Sequence, residues 1–442
     1  MRNLICFCIA MMFLSVTVSA AESLKRRASW EATFEPIQAD KPGRTIKTLE
    51  PGSPLYKQGF RTGDHIIQIN NEVMVSNAAW TDFSDDLTEK RDYDILARRG
   101  QNLLRESVRF KGVSREQHAG IKTIYTSIVN DYGIRQRLII THPQNAEGRL
   151  PGIIVLQGLS CSTVELLPND TANYKKVFKA LITQTDMAVL RIEKPGLGDS
   201  EGHCSQTDFR TELNGYQRAI EYFLEQPYVN KAQVIVYGNS MGSALAPYMA
   251  NTYGLAGIIS DGTFYRSWFE HMLEIERRIR RIQGDDEATI SQKINQAYIP
   301  MYYEMLVRKK SYDDIVTDNP LLAEFNYHAP EHMYGRPMAY YHQLQDFDFA
   351  AAWSNVKVPV RIRWGRLDWI MSESDNDMII ETLKRAGHQD HVLYKYPQLD
   401  HWHTLHESEE NSFFGRPGQW DKRIAEQVVE WAKELVTKAG QN

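Results

Sequence analysis

Apolar residues fall in short runs that alternate with longer amphipathic stretches over most of the chain after residue 120. The runs predict buried strands at 152–156, 187–192, 234–237, 256–260, 358–363 and 392–396, after a hairpin at 123–129 and 134–140. Helical periodicity marks the stretches 174–183, 209–224, 243–250, 375–385 and 422–437. This alternation predicts an α/β fold, a doubly wound and mostly parallel sheet with helices on both faces. Functional residues of such sheets lie in loops at the carboxyl ends of the strands.

The segment before residue 113 has a different sequence pattern, which predicts short strands with alternating apolar and polar residues and glycine-containing turns. Strands are predicted at 45–49, 93–98 and 106–110. Several residues stand at offsets that resemble the core of a bacterial PDZ domain. They are Pro51-Gly52-Ser53-Pro54, Gly59-Phe60, Gly63-Asp64 and Ile66-x-x-Ile69-Asn70. The resemblance implies a small β-rich domain over 28–112 that captures a peptide terminus by strand addition. Residues 29–34 offer no glycine for the expected carboxylate loop, so a structural or dimerising role is the alternative.

The first twenty residues have the pattern of a secretory signal peptide. A positive start at Arg2 is followed by an apolar stretch over 4–18 and by the small-x-small pattern Val18-Ser19-Ala20. We therefore expect export to the periplasm or the medium, with cleavage after Ala20 and no stable membrane span in the mature chain. A retained N-terminal anchor is the alternative.

The charge balance and the cysteine content bear on nucleic-acid binding and on disulfide formation. The chain has 51 Lys and Arg against 56 Asp and Glu, so it has no basic surplus with which to bind nucleic acid. Of its 4 cysteines, Cys6 and Cys8 would leave with the signal peptide. The remaining Cys161 and Cys204 suggest one disulfide in an exported protein, and two separate thiols are the alternative.

Two stretches match Gly-x-Ser-x-Gly, the pattern of a nucleophile elbow. Gly238-Asn239-Ser240-Met241-Gly242 directly follows a predicted strand and runs into a predicted helix, and its glycines suit the tight turn between them. The second match, over 198–202, follows a Pro-Gly stretch and no helix begins at once. Ser240 is therefore the predicted nucleophile, and Ser200 is read as a loop residue.

The chain from residue 121 to 442 resembles the α/β-hydrolase fold. Residues 191–202 resemble the loop after the fourth strand of that family, and 157–162 stand at its oxyanion loop, with Gln157 in place of the more usual His. The resemblance implies that the backbone N–H groups of Met241 and Leu159 bind the oxyanion. The position of Leu159 is open by one residue.

The acid and the base of the expected triad follow the nucleophile in sequence. Asp368 ends a Gly-x-x-Asp turn after the strand at 358–363, and Glu373 and Asp375 are rival acids. His401 follows Asp400 after the last strand, and His403 is the rival base.

The histidines near the C-terminus allow a competing interpretation. His401, His403 and His406 with Asp400 could ligate a metal ion. Because no further ligands stand out along the chain, we expect neither a metal ion nor an organic cofactor.

The sheet pattern is interrupted over about 264–353 by a mostly helical insertion, at the position of a cap in related hydrolases. It is rich in aromatic residues, namely Trp268, Tyr298, Tyr302, Tyr303, Tyr327, Tyr334, Tyr340 and Tyr341. Its Arg277 to Arg281 run is expected on a solvated face, paired as Glu274 with Arg278 and Glu276 with Arg280, or as a site for an acidic substrate group.

These features predict an exported serine hydrolase that cleaves carboxylic esters through an acyl-enzyme. The expected substrate is a small ester. A serine peptidase acting on short peptides is the first alternative, and a non-catalytic PDZ peptide-binding protein is the second.

Overall fold

A computed structural model of the protein describes residues 24–37, 41–76, 80, 83–84, 86–168, 170–328 and 330–441. The predicted signal peptide over 1–20 lies outside these residues. Within them, no helix combines the length and the apolar composition needed to cross a membrane.

The N-terminal segment forms a small sheet in the order β1-β2-β3-β5-β6, with β4 paired to β3. The strands are β1 (Ala32–Phe34), β2 (Arg44–Leu49), β3 (His65–Ile69), β4 (Glu72–Val73), β5 (Asp92–Arg99) and β6 (Asn102–Arg109), with helix α1 (Pro54–Lys57) between β2 and β3. The sheet packs around its own apolar cluster, which runs from Ala28 to Phe110 and shares no member with the clusters of the larger sheet. The β-rich character predicted for this segment is present, and its PDZ likeness stays a prediction.

The rest of the chain is built on an eight-stranded sheet in the order β16-β15-β12-β11-β9-β10-β8-β7. Its strands are β7 (Ile121–Val129), β8 (Arg135–Pro143), β9 (Leu150–Leu156), β10 (Ala188–Ile192), β11 (Val229–Asn239), β12 (Gly257–Asp261), β15 (Val360–Gly365) and β16 (His391–Tyr396). Strand β8 is antiparallel to β7 and β10, and the other pairs are parallel. The predicted α/β class with a mostly parallel sheet is confirmed.

Helices cover both faces because successive strand residues point to opposite sides. Ile153 and Val155 pack with helices α2 (Asn173–Gln184) and α13 (Arg423–Ala439). Ile154 and Leu156 belong to the cluster on the other face. That face holds α3 (Phe209–Leu224), α4 (Met241–Tyr253), α10 (Phe349–Ser354) and α11 (Glu373–Arg385).

The predicted insertion lies between β12 and β15 and is mostly helical. It contains α5 (Trp268–Ile282), α6 (Glu287–Lys293), α7 (Ile299–Tyr302), α8 (Tyr312–Asp318), α9 (Met338–Gln345), two π-helical turns (Ile294–Tyr298 and Tyr303–Val307), a 3₁₀ turn (Pro320–Glu324) and the short strands β13 (His332–Met333) and β14 (Arg336–Pro337). A second 3₁₀ turn (Cys204–Gln206) precedes α3, and α12 (Glu409–Phe413) precedes α13. Helix α5 begins with a capping box in which Ser267 and Glu270 satisfy each other's backbone N–H groups, which fixes where it starts.

The start of the described chain is tied to the larger sheet by buried charges. Arg26 forms ion pairs with Glu165 at 2.6 Å and with Asp199 at 3.1 Å, and all three side chains are buried. Arg137 also pairs with Asp199, at 3.1 Å. These contacts join the segment that leads into the small sheet to the loops after β9 and β10.

Candidate active site

Ser240 lies in the turn between β11 and α4, with φ 55° and ψ −123°. A positive φ is unfavourable for a residue other than glycine, so the surrounding structure must hold it in place. The flanking glycines permit this, because a Cβ on Gly238 would collide with the Gly242 carbonyl and one on Gly242 with the Leu156 carbonyl. The turn therefore has the strained strand-turn-helix geometry of a nucleophile elbow. Ser200 lies in the loop after β10, where its Oγ accepts a hydrogen bond from the Arg137 N–H.

Ser240, His401 and Asp368 form one hydrogen-bonded chain. The Nε2 atom of His401 lies 2.9 Å from the Oγ of Ser240, and its Nδ1 lies 2.8 Å from Oδ2 of Asp368. The other carboxylate oxygen of Asp368 accepts hydrogen bonds from the N–H groups of Ile370 and Met371 at 2.9 and 2.8 Å. Those bonds hold the carboxylate in place, and the carboxylate in turn orients the imidazole.

The environment of His401 favours its protonated form. Burial alone would lower the pKa of the imidazole, but the charge of Asp368 and its hydrogen bond outweigh burial, and the pKa is raised above 6.5. A base of this kind accepts a proton readily and holds the positive charge beside a fixed carboxylate.

The rival acids lie elsewhere. Asp375 accepts hydrogen bonds from the N–H groups of Tyr265 and Arg266 and pairs with the Arg266 guanidinium at 3.0 Å. Glu373 forms an ion pair with Lys395 at 2.7 Å.

The other histidines of the cluster also have separate partners. The Nε2 atom of His403 lies 3.0 Å from Asp261, and that of His406 lies 3.2 Å from Asp400. Across the described ranges, no group of three or more His, Cys, Asp or Glu side chains has a metal-binding arrangement.

The predicted oxyanion loop after β9 lies against Ser240. A Cβ on Gly158 would lie 3.0 Å from the Ser240 Cβ, a contact so tight that a larger residue would require Ser240 or the loop to shift. Met241 is the first residue of α4, and N–H groups of a first helical turn have no acceptor within the helix. Leu159 follows Gly158 along the cavity wall.

A buried lysine forms hydrogen bonds with the backbone carbonyls of the predicted oxyanion loop. The Nζ atom of Lys194 donates hydrogen bonds to the carbonyls of Gly158, Leu159 and Ser160 at 2.5, 3.1 and 3.2 Å. Its carboxylate partner is Glu212, at 3.5 Å. Burial lowers the pKa of Lys194 to about 8, which the charge of Glu212 only partly offsets.

The insertion reaches the same region through Arg336. Its guanidinium forms an ion pair with Glu212 and donates a hydrogen bond to the Sγ of Cys204 at 2.9 Å. Cys204 is joined to Cys161 by a disulfide, with Cα atoms 5.8 Å apart. The disulfide links the loop after β9 to the loop after β10, as expected from the sequence for this pair.

A cavity of about 200 Å³ opens beside Ser240. Its wall combines the oxyanion loop, the loops that carry Asp368 and His401, and the insertion; the insertion contributes Phe264, Trp268, His271, Ile275 and Tyr334. The insertion therefore forms part of the cavity wall beside Ser240, and its role as a cap stays a prediction.

The expectation of a solvated arginine face on α5 is wrong for Arg278. The predicted pairs are present, with Glu274 to Arg278 at 3.6 Å and Glu276 to Arg280 at 4.0 Å. The Arg278 side chain, however, is only 13% exposed and donates hydrogen bonds to the carbonyls of Trp369 and Ile370 at 2.8 and 2.7 Å. It thus holds the loop that follows Asp368, which makes it unavailable to an acidic substrate.

Sequence reasoning missed Lys194, Arg336 and His271. Lys194 stands inside the 191–202 run that resembles the family, but a charged residue gives no sign of burial. His271 lies on α5, whose sequence gives no sign that this imidazole is buried and lines the cavity.

Comparison with known proteins gives two curated relatives. Esterase EstD of Thermotoga maritima is 21% identical over 300 residues, which cover 66% of this chain and 64% of that protein. Protein bem46 of Schizosaccharomyces pombe is 29% identical over 90 residues, which cover 20% of this chain and 29% of that protein. The chain thus spans less than two thirds of the length of either relative.

Two solved structures align with most of the chain at low identity. Est1E from Butyrivibrio proteoclasticus, with ferulic acid bound, aligns at a TM-score of 0.45 and 14% identity over 72% of this chain and 100% of its own. The esterase Pf2001 of Pyrococcus furiosus aligns at 0.44 and 12% over 73% of this chain and 97% of its own.

The family profile described as serine aminopeptidase, S33, matches residues 169–410. This range includes Ser240, Asp368 and His401, and it covers more than half of the 442 residues. The chain therefore belongs to the family of S33 serine aminopeptidases and related hydrolases.

Proposed function

We propose that the protein is a serine hydrolase that cleaves carboxylic esters, with Ser240 as nucleophile, His401 as base and Asp368 as orienting acid. The observation that carries the proposal is the hydrogen-bonded chain from the Ser240 Oγ through His401 to Asp368 at the wall of a cavity. Membership of a hydrolase family and the similarity to esterase EstD support it.

The chemistry follows from the geometry. His401 Nε2 takes the Ser240 proton as Oγ bonds to the ester carbonyl carbon, and the carbonyl oxygen becomes an oxyanion facing the N–H groups of Met241 and Leu159. The ester C–O bond then breaks, and His401 returns the proton to the departing alcohol. A water molecule, deprotonated by the same imidazole, cleaves the acyl-enzyme to release the acid and restore Ser240.

The cavity wall favours an ester substrate over the peptide substrate of an aminopeptidase. An aminopeptidase must pair the charged α-amine of its substrate, since a buried unpaired ammonium is costly. Among the described residues that line the cavity, none is Asp or Glu, and most are aromatic or aliphatic. A neutral substrate suits this surface, so peptidase activity on short peptides is the second candidate, supported by the family description.

One assay panel separates these functions. The protein starting at Ala21 is given p-nitrophenyl esters of increasing acyl length and, in parallel, aminoacyl p-nitroanilides. We expect ester turnover without comparable amide turnover, complete loss in Ser240→Ala, and a loss of about 10⁴ in kcat for Asp368→Asn. Ser200→Ala, in the second Gly-x-Ser-x-Gly match, is the control and should keep its activity. Amide turnover of equal efficiency would instead establish a peptidase.

Labelling with a fluorophosphonate probe tests the non-catalytic alternative. The wild type should be labelled and Ser240→Ala should not. An unlabelled, inactive wild type that binds peptides through its N-terminal domain would support a peptide-binding protein.

We further propose export and a PDZ-like role for residues 28–112. Strand β1 forms an edge of the small sheet, where a peptide strand could add. N-terminal sequencing of protein recovered outside the cytoplasm should begin at Ala21. Binding of fluorescent peptides with free and amidated C-termini would distinguish terminus capture from a structural role.

A further inference from the structure

His271 is a buried imidazole without a partner at the wall of the cavity. It lies on α5, is 0% exposed, and is among the residues that line the cavity beside Ser240. Neither ring nitrogen has a hydrogen-bond partner within the part of the chain that the structure describes. Buried polar groups are almost always paired, so two unpaired nitrogens in one ring call for an explanation.

The ring is held rigidly in place by its neighbours. It stacks on Phe264 with centroids 4.5 Å apart and planes 23° apart, and the Trp268 ring lies 5.1 Å away. These rings pack against the imidazole, and His271 is also among the residues that line the cavity, so a molecule bound there is the candidate partner for its nitrogens.

Two indole N–H groups on the same cavity wall are also buried without a hydrogen-bond partner among the described residues. The Nε1 atoms of Trp268 and Trp369 are buried and have no hydrogen-bond partner among the described residues. Both residues line the cavity, one from the insertion and the other from the loop that carries Asp368. The residues of the wall thus include two indoles and one imidazole whose nitrogens have no hydrogen-bond partner among the described residues.

The imidazole is neutral, which limits what it can bind. Burial is the main cause that lowers the pKa of His271 well below 6.5, and the nearby charges of Arg278, His401 and Arg266 act in the same direction. A neutral imidazole has one donor and one acceptor nitrogen. A hydroxyl group, which both donates and accepts, is complementary to it, and its oxygen can also accept from an indole N–H.

We propose that His271, assisted by Trp268 and Trp369, recognises a hydroxyl group on the ester substrate. The substrates would then be hydroxyl-bearing esters small enough for a cavity of about 200 Å³. This inference rests on the ester hydrolysis proposed above and adds the substrate class. It accounts for unpaired polar atoms in a wall that would otherwise suit a purely apolar group.

Two pairs of esters test the proposal, one for each side of the scissile bond. The first compares p-nitrophenyl 3-hydroxybutanoate with p-nitrophenyl butanoate. The second compares 4-hydroxybutyl butanoate with butyl butanoate, followed by pH-stat. We expect the wild type to favour the hydroxylated ester by about tenfold or more in kcat/KM in at least one pair, because a site with unpaired polar groups discriminates against the ester that lacks the hydroxyl.

Substitutions at His271 test whether this residue causes the preference for the hydroxylated ester. In His271→Phe, which keeps a ring for stacking but removes both nitrogens, the ratio should fall towards one, and His271→Gln should restore part of it. The control is His328→Phe, at another imidazole of the insertion with an unpaired Nε2 that is not among the residues lining the cavity. It should keep the wild-type ratio.

The outcomes are distinguishable. Absence of a preference in both pairs, or a preference that survives in folded His271→Phe, would overturn the inference while leaving ester hydrolysis intact. Absence of turnover for all four esters would overturn the proposed function and this inference with it. Circular dichroism and thermal midpoints establish that each variant is folded, and the wild-type comparison is informative even if His271→Phe is not.

Discussion

Replacing Lys194 with Met should disable the oxyanion loop without unfolding the protein. The substitution keeps most of the side-chain volume and removes the ammonium that donates to three successive carbonyls. Glu212 would not be left as an unpaired charge, because Arg336 still pairs with it. We therefore expect the fold to persist and the loop to relax.

The magnitude follows from the geometry of the peptide unit. In a trans peptide the C=O and the following N–H point in opposite directions. With the Gly158 carbonyl directed at Lys194, the N–H of Leu159 points away from Lys194. Without the ammonium, that peptide loses the hydrogen bond from Lys194 that holds it in this orientation. Loss of one oxyanion donor typically lowers kcat by about 10²–10³, or about 3–4 kcal/mol. We therefore expect kcat of Lys194→Met to fall by about 10² with little change in KM.

The assay is steady-state hydrolysis of the best p-nitrophenyl ester, with the urea midpoint measured in parallel. Lys175→Met is the matched control, since Lys175 is also buried in this domain but bonds Asp170 and the Glu165 carbonyl rather than the oxyanion loop. A kcat of Lys194→Met within about threefold of wild type, in a folded protein, would refute the reasoning.

Three further predictions concern the pH dependence of activity, the disulfide and the buried ion pairs of Arg26. Activity should rise with pH as His401 loses its proton, with a midpoint above 6.5 because the pKa of its imidazole is raised. It should fall again near pH 8, where Lys194 loses its charge. A pH profile of kcat/KM checks both changes, and the fall near pH 8 should be absent in Lys194→Met. Removing the disulfide by Cys161→Ala with Cys204→Ala should lower the free energy of unfolding by about 2–4 kcal/mol in urea titrations, and an unchanged midpoint would contradict its presence. Arg26→Met should lower that free energy by about 1–3 kcal/mol by removing two buried ion pairs, and trypsin should then cut between the two sheets sooner than in wild type.

The architecture could be predicted from the sequence because periodicity reports burial directly. The apolar run at 234–237 lies in the C-terminal half of β11, which extends over Val229–Asn239, and the helix predicted over 209–224 has the bounds of α3. Asp208 accepts a hydrogen bond from the Thr211 N–H and so fixes the start of α3. Strand β11 begins before the predicted run, at Val229, because it includes polar residues such as Asn230 and Lys231, over which its register with β9 is irregular.

The buried charges around the site could not be predicted in this way. Arg278 belongs to a run of arginines with helical pairing, and both features are typical of a solvated face. Its burial depends on the carbonyls of Trp369 and Ile370, about 90 residues away in sequence, and a pattern local to one helix contains no information about them.

Buried ion pairs seldom increase stability over an apolar replacement, so their position here points to a different benefit. Lys194, Glu212 and Arg336 form a continuous chain of charges from the oxyanion loop through α3 to the insertion. Each member has directional hydrogen bonds that an apolar side chain could not supply, and together they fix the orientation of backbone groups beside Ser240. Catalysis by fixed dipoles requires that orientation before the substrate arrives. The desolvation of three charges is therefore best understood as the cost of preorganising the oxyanion site that we propose.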